Sequence, residues 1–396
     1  MNVCVVAEYY PRRRDPALGV WAHQQARAAR DAGADVRVLV LERPVPPARA
    51  LRSAGALGRS LRALATQPRR EERDGIAVEC VRFLAPPRER SYARWGGWAR
   101  EPTERALDRL ERDRPIDVVH AHYAIPAGAA VRGWAAARGK PLVVSVHGGD
   151  VFAPLLATPD GRGAVASVLR SARVVLCNGR ETLQRVEALA APAVNARVVH
   201  LGAAAPAPLP EKHTRPAVAT LAHVVARKRH EDVLRALADE RLAGVDWVVI
   251  GDGPERATLA GLASELGVEG RIRWMGALDH PQALAELARC HVMALPSVDE
   301  AFGVAYVEAL ACGVPVVATR GEGGPEEIAA LVPGVTLVPP RAPRAVADAL
   351  AELLADRGAL ERLGRAAGDA AGSLFDWRRT GELTVAAYRD ALGQPC

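Results

Sequence analysis

Aromatic residues make up only 4% of the 396-residue chain. No recognised nucleic-acid-binding motif accompanies its basic stretches, so no nucleic-acid partner is expected. Cysteine is sparse too: positions 4, 80, 177, 290, 312 and 396, with no C-x-x-C pair. Four of the six stand in apolar strand-like or helix-like contexts, which reads as buried, reduced thiols in a cytoplasmic protein rather than disulfides or a metal cluster. No apolar run approaches the roughly 18–20 residues that span a bilayer. The opening MNVCVVAEYYP lacks a basic n-region and runs straight into a strand-like segment, so it is expected to be a first strand and not a signal peptide. No G-x-G-x-x-G follows a predicted strand, which removes support for a nicotinamide site. No Asp-rich metal motif occurs either, so the expectation is no metal and no resident cofactor.

What the chain does contain is ordinary for a water-exposed globular protein, with 49% hydrophobic and 25% charged residues. The net charge is +6, and residues 49–114 hold sixteen arginines, no lysine and ten acidic residues. The plainer reading is a solvated, arginine-biased surface; peripheral contact with anionic lipid at the inner face of the membrane is the sharper one. At this length two domains are expected. Strand-like and helix-like segments alternate throughout, which implies parallel sheets. Strands are read at Val3–Ala7, Val36–Leu41, Asp117–Ala121, Leu142–Val146, Val174–Cys177 and Arg197–His200, with loop and a short helix over 43–75. A proline-rich stretch at 203–216 is the best linker. The expected division is therefore a first Rossmann-like domain over 1–202, a second over 217–375, and a last helix at 376–392 returning to the first.

The most informative residues are LPSVDEAFGVAYVEALACGVPVVAT, 295–319. A helix starting near Phe302 and Gly303 would offer unpaired N–H groups and a positive dipole end to an anion. Glu300 then stands before the helix and Glu308 one to two turns inside it, up to ~12 Å apart at 1.5 Å rise per residue. That distance matches the reach from a hexose across a diphosphate to a ribose. Ala226-Arg227-Lys228 lies between a predicted strand and helix, the edge where α/β proteins bind ligands, and Lys228 suits a diphosphate counter-ion. Alone, those residues would read as surface charges. Gly251-Asp252-Gly253-Pro254 is a tight turn after a strand. His147-Gly148-Gly149-Asp150 ends another strand and projects an imidazole where a sugar hydroxyl could meet it. His120 and His122 lack a third ligand of suitable spacing, so no metal site is expected there. Gly19-Val20-Trp21 opens the first helix, as either a phosphate approach or a plain loop glycine.

Together these residues resemble the GT4 family of retaining glycosyltransferases, over essentially the whole chain. The family's E-x7-E motif stands here as Glu300-Ala-Phe-Gly-Val-Ala-Tyr-Val-Glu308, with GDGPE at 251–255, LPS at 295–297, HGGD at 147–150 and Phe375-Asp376-Trp377 in support. YYP and GVWAHQQARAARDAGADVRVL look like the subgroup of cell-wall polysaccharide and teichuronic-acid glycosyltransferases. The resemblance implies a GT-B fold: two Rossmann-like parallel-sheet α/β domains facing across a cleft. It implies a hexosyltransferase that moves a sugar, with retention and without metal, from a UDP- or GDP-linked donor to a glycan, lipid-linked or small-molecule acceptor. Glu300 and His147 would meet the donor sugar and Glu308 the ribose. Lys228, with Arg227, would neutralise the diphosphate. The backbone of Phe302, Gly303 and Val304 would contact sugar and phosphate, Gly251 would line the donor site, and Gly19 would approach the phosphates. A sugar-nucleotide epimerase or a phosphorylase is the alternative on the same scaffold, although no cofactor-lysine motif supports a phosphorylase.

Two positions depart from the family's G-R-L-x-x-x-K-G pattern. His223 stands where the first arginine belongs, exchanging a fixed, forked charge for a partial one near neutral pH. Arg229 replaces the final glycine.

Overall fold

The computed structural model describes residues 1–12, 15–16, 18–46, 53–152, 155–191 and 194–394. Cys396 and the start of the arginine-rich region, 49–52, lie outside the described residues. The other five cysteines are free thiols, four buried and Cys80 partly so. Among the described residues no helix is long and apolar enough to cross a membrane.

The chain divides into two α/β units: Met1–His200 together with the residues from Arg378 onward, and Leu201–Trp377. The first holds β1 (Asn2–Ala7), β2 (Asp35–Glu42), β3 (Arg70–Arg73), β4 (Ile76–Arg82), β5 (Val118–His122), β6 (Leu142–Val146), β7 (Val174–Cys177) and β8 (Ala196–Val198). They order as β3-β4-β2-β1-β5-β6-β7-β8, and all neighbours but one are parallel. The central strands are nearly continuous valine, leucine and alanine because helices cover both faces. The exception is the β3–β4 hairpin at the edge, antiparallel around Asp74 and Gly75, both at positive φ. A loop with a short helix was expected there. The helix is present as Ala54–Thr66, capped by Ser53, but the hairpin is an addition. Its strand REER has no apolar alternation to betray it, whereas the Asp-Gly pair is a hairpin signal.

The final helix, Trp377–Ala391, buries Val385, Ala387 and Tyr388 in the same core as Val3, Val5, Val36 and Val143. Tyr388 Oη lies 2.7 Å from His120 Nδ1, and His120 Nε2 is 2.8 Å from Ser145 Oγ. His120 is thus a satisfied core histidine.

The second unit holds β9 (Ala217–Leu221), β10 (Asp246–Ile250), β11 (Ile272–Gly276), β12 (Val292–Leu295), β13 (Val316–Thr319) and β14 (Val335–Val338), ordered β11-β10-β9-β12-β13-β14 and parallel throughout. The stretch 203–216 is tied to this unit: Ala203 N donates to Phe375 O, His213 N to Arg289 O, and Lys212 Nζ to Cys290 O. In each sheet the strand order reverses beside the first strand, between β1 and β5 and between β9 and β12. Such crevices at the carboxyl ends of strands are where open α/β sheets bind ligands.

Candidate active site

The second sheet's reversal point gathers two loops. One follows β9 and ends in a single 3-10 turn, Ala226–Lys228; the other follows β12 and carries Ser297 through Gly303. They are stitched together where Val298 N donates to Arg227 O at 2.8 Å. Lys228 Nζ bonds Glu300 Oε2 directly, Ser297 Oγ lies 3.1 Å from the same oxygen, and Arg227 Nη1 stands 3.9 Å away. Behind them, Tyr306 Oη bonds Ser297 Oγ at 2.7 Å and Leu295 O at 2.8 Å. Glu300 N donates to Glu322 Oε2 at 2.8 Å. Burial alone would raise the Glu300 carboxyl, but the charges of Lys228 and Arg227 outweigh it and hold the group below the usual carboxylate range. Glu300 is therefore a buried, ionised acceptor with a cation on it.

The helix Val304–Ala311 begins immediately after, and its first amides have no intrahelical partner. Gly303 caps it at φ 83°, and a Cβ there would lie 2.3 Å from the Tyr306 ring, so only glycine fits. Phe302 turns its ring into the domain core against Phe375, centroids 5.9 Å apart, which leaves its backbone and not its side chain on the ligand side. Glu308 follows on the fifth residue of the helix. Its Oε1 is 2.6 Å from His280 Nε2, and although burial opposes charge on His280, the bond to Glu308 raises that imidazole above its ordinary value.

The two departures from the family pattern acquire a structural meaning. Arg229 adopts φ 54°, the left-handed conformation that favours glycine, and its guanidinium forks onto Asp232 at 2.9 and 2.6 Å. That ion pair helps offset a backbone cost of about 1 kcal/mol. His223 is exposed, and its Nδ1 donates to Asp252 O at 3.1 Å, which leaves Nε2 for a ligand. Gly251 follows β10 and donates to Gly276 O at 2.8 Å, while the side chain of Asp252 accepts from Gly253 N.

Gly19 and His147 belong to the first unit. Gly19 caps the helix Val20–Asp31 at φ 67°, and a Cβ on it would fall 2.2 Å from the Tyr9 carbonyl carbon. Internal packing alone demands glycine there. His147 lies 2.9 Å through Nε2 from His122 Nδ1, stacked at 5.1 Å. His147 Nδ1 and Trp21 Nε1 are buried with no partner, and the two rings are 6.2 Å apart. Asp150 accepts from Ala124 N at 2.8 Å, and burial pushes its carboxyl up to about 7. Among the described residues no group of three or more His, Cys, Asp or Glu is placed to hold a metal ion.

The sequence reading gave no role to Ser297 or Tyr306, although both fall in its quoted motifs, and passed over Glu322 and His280. Glu322 had a signal, since Gly-Glu-Gly-Gly-Pro comes one residue after β13 and opens a helix. His280 had none, because its contact with Glu308 joins positions 28 residues apart.

Two family models account for most of the chain: a glycosyl transferase 4-like domain over residues 17–202 and glycosyl transferases group 1 over 204–369. The chain is 31% identical over 307 residues to the GDP-mannose-dependent alpha-(1-6)-phosphatidylinositol monomannoside mannosyltransferase of Mycolicibacterium smegmatis, covering 71% of this chain and 78% of that one. The chain belongs to the GT4 glycosyltransferases. A second relative of this family is the D-inositol 3-phosphate glycosyltransferase of Mycobacterium tuberculosis, 31% identical over 310 residues. There the match spans 70% of this chain and 62% of that enzyme's own length, less than two thirds. Among solved GT-B structures, sucrose-phosphate synthase from Thermosynechococcus elongatus superposes with a TM-score of 0.78 at 19% identity, covering 99% and 100% of the two chains. Anabaena HepE in complex with UDP and glucose superposes with 0.71 at 18% identity, covering 98% of each. At those identities the likeness shows the fold, which is GT-B.

Proposed function

We propose that this GT4 enzyme transfers a sugar, with retention and without a metal, from a UDP- or GDP-linked donor to an acceptor hydroxyl. The observation that carries the reading is Glu300, kept ionised by Lys228 at the mouth of a helix that Gly303 opens, with Glu308 one turn further in. Negative charge builds on the departing diphosphate. Lys228, Arg227 and the first amides of Val304–Ala311 supply fixed positive potential where it forms. Glu300 accepts hydroxyls of the donor sugar. Glu308 has its second oxygen for ribose hydroxyls, with His280 orienting the first. This reading needs no covalent nucleophile: the leaving phosphate takes the acceptor proton.

The curated relatives are named for inositol-containing acceptors, which supports a polyol or polyol-lipid acceptor more than the teichuronic-acid type that the opening residues resemble. Nothing favours the epimerase or phosphorylase alternative. Contact with the inner face of the membrane is supported by the helix Ala54–Thr66, where Leu61 is 50% exposed, and by Leu84, 73% exposed, among arginines. Co-sedimentation with anionic vesicles, absent with neutral ones, tests that contact. The main reading is tested by thermal shift against UDP, GDP, ADP and dTDP, followed by donor turnover with and without EDTA. Stabilisation by UDP or GDP and EDTA-resistant turnover are expected; no response to any nucleotide would sink it.

A further inference from the structure

The two glutamates of the second unit are compensated by different chemistry. Glu300 is held by an amine and a guanidinium, those of Lys228 and Arg227. Glu308 has neither. Among the described residues its one ion-pair partner is the imidazole of His280, with Nε2 2.6 Å from Oε1 and side chains 18% and 10% exposed. Its Oε2 has no hydrogen-bond partner among those residues.

His280 is the first residue of the helix His280–Arg289. Asp279 caps that helix by accepting from Gln282 N at 2.9 Å, and Pro281 follows at a position that suits it, so the backbone that carries the ring is fixed. The helix touches Val304–Ala311, which carries Glu308. Ring and carboxylate are thus presented to each other by two rigid elements.

The contact also assigns the tautomer. A carboxylate oxygen only accepts, so Nε2 carries the proton of this bond in either charge state, and Nδ1 is where the ring gains or loses its second one. The bond outlasts the titration; the charge does not. Burial and the positive end of its own helix oppose the imidazolium, whereas Glu308 on the facing helix and the adjacent Asp279 favour it. The carboxylates win, and the imidazole titrates above its ordinary value.

We propose that His280 is a positioning residue that makes the nucleotide site compatible with a diphosphate: as imidazolium it cancels the charge of the carboxylate it orients, which would otherwise repel the donor's phosphates. The proposal rests on Glu308 as the ribose acceptor and adds a proton to the donor's binding equilibrium. A ribose and its diphosphate lie closer together than the Debye length of roughly 8 Å, so salt does not screen that repulsion away. Donor should bind tightest below the His280 titration and lose affinity as pH rises through it.

The full chain is titrated calorimetrically with UDP-glucose and with GDP-mannose between about pH 6 and 8.5, where both diphosphates stay doubly ionised. The Kd of the donor that binds is expected to rise by roughly five- to tenfold across that range. His280→Gln, whose amide can still donate to Glu308 but never carries charge, should flatten the profile. His280→Ala, which loses the bond as well, should bind more weakly than His280→Gln throughout. In the ligand-free protein the His280 ring is followed by NMR, and Glu308→Gln should lower its titration toward that of an ordinary histidine. A profile as steep in His280→Gln as in the parent, or a His280 titration indifferent to Glu308→Gln, would overturn the proposal while nucleotide-sugar binding stands. Binding of neither nucleotide-sugar at any pH would overturn the donor reading and this proposal together.

Discussion

At the carboxyl edge of the first sheet, burial drives His120, His122 and His147 toward neutral imidazole, His122 to about 3, and raises the carboxyls of Glu8 and Asp150. At the same edge of the second sheet, Lys228 and Arg227 keep the equally buried Glu300 ionised. The two sheets share an architecture, and their reversal points carry opposite electrostatic designs. Fixed charge is kept at the second edge, and neutral donors and acceptors, with one stacked arginine, at the first. Asp150 and Glu300 differ by pairing, because the buried Glu300 has two cations beside it and Asp150 only backbone donors; at Glu8 burial outweighs even the Arg88 counter-ion.

Breaking the charged side should have the largest effect. Lys228→Met removes the cation from Glu300 and from the proposed leaving group, and kcat should fall by roughly 10²–10³-fold. The thermal midpoint should drop as well, because a buried carboxylate loses its partner. Steady-state kinetics beside a melting curve reads both, and a kcat within threefold of the parent would refute the assignment. Glu308→Ala should raise donor KM by roughly tenfold or more and change kcat less, as loss of uniform binding does. An unchanged donor KM removes the ribose role.

The neutral side is tested by pH. With its carboxyl raised to about 7, Asp150 binds its proton more tightly folded than unfolded. Its contribution is therefore fully present below the ordinary aspartate range near 4 and is lost as pH rises toward 7, with a slope of at most about 1.4 kcal/mol per pH unit. Asp150→Asn should flatten that part of the stability curve in urea titrations between pH 4 and 8; an unaltered slope would place the titration elsewhere. The smallest expected change sharpens the charged side. His223→Arg restores a fixed charge at an exposed position and should tighten nucleotide-sugar binding about two- to fivefold by calorimetry, more at low salt.

Much of the second unit was legible because its signals are local. Gly303, Glu300 and Glu308 fall within nine residues, and strand–turn–helix periodicity places such residues at a sheet edge before any coordinates are known. The Asp74-Gly75 hairpin was written just as locally and was missed because REER carries no apolar alternation. Helix Trp95–Asp113 carries Pro102 inside it, where proline ordinarily favours the first turn.

By itself, the order of residues determined the alternating parallel-sheet architecture, the paired glutamates before and within one helix, and the lysine that follows β9, because periodicity and short spacing govern these. Tertiary structure alone decided that Glu308 meets His280, that Glu322 holds the backbone of Glu300, that Arg88 stacks on Tyr92 over a buried Glu8, and which buried groups keep their charge. Those outcomes depend on distances between segments far apart in the chain and on the solvent each loses, and neither quantity is written in any local stretch.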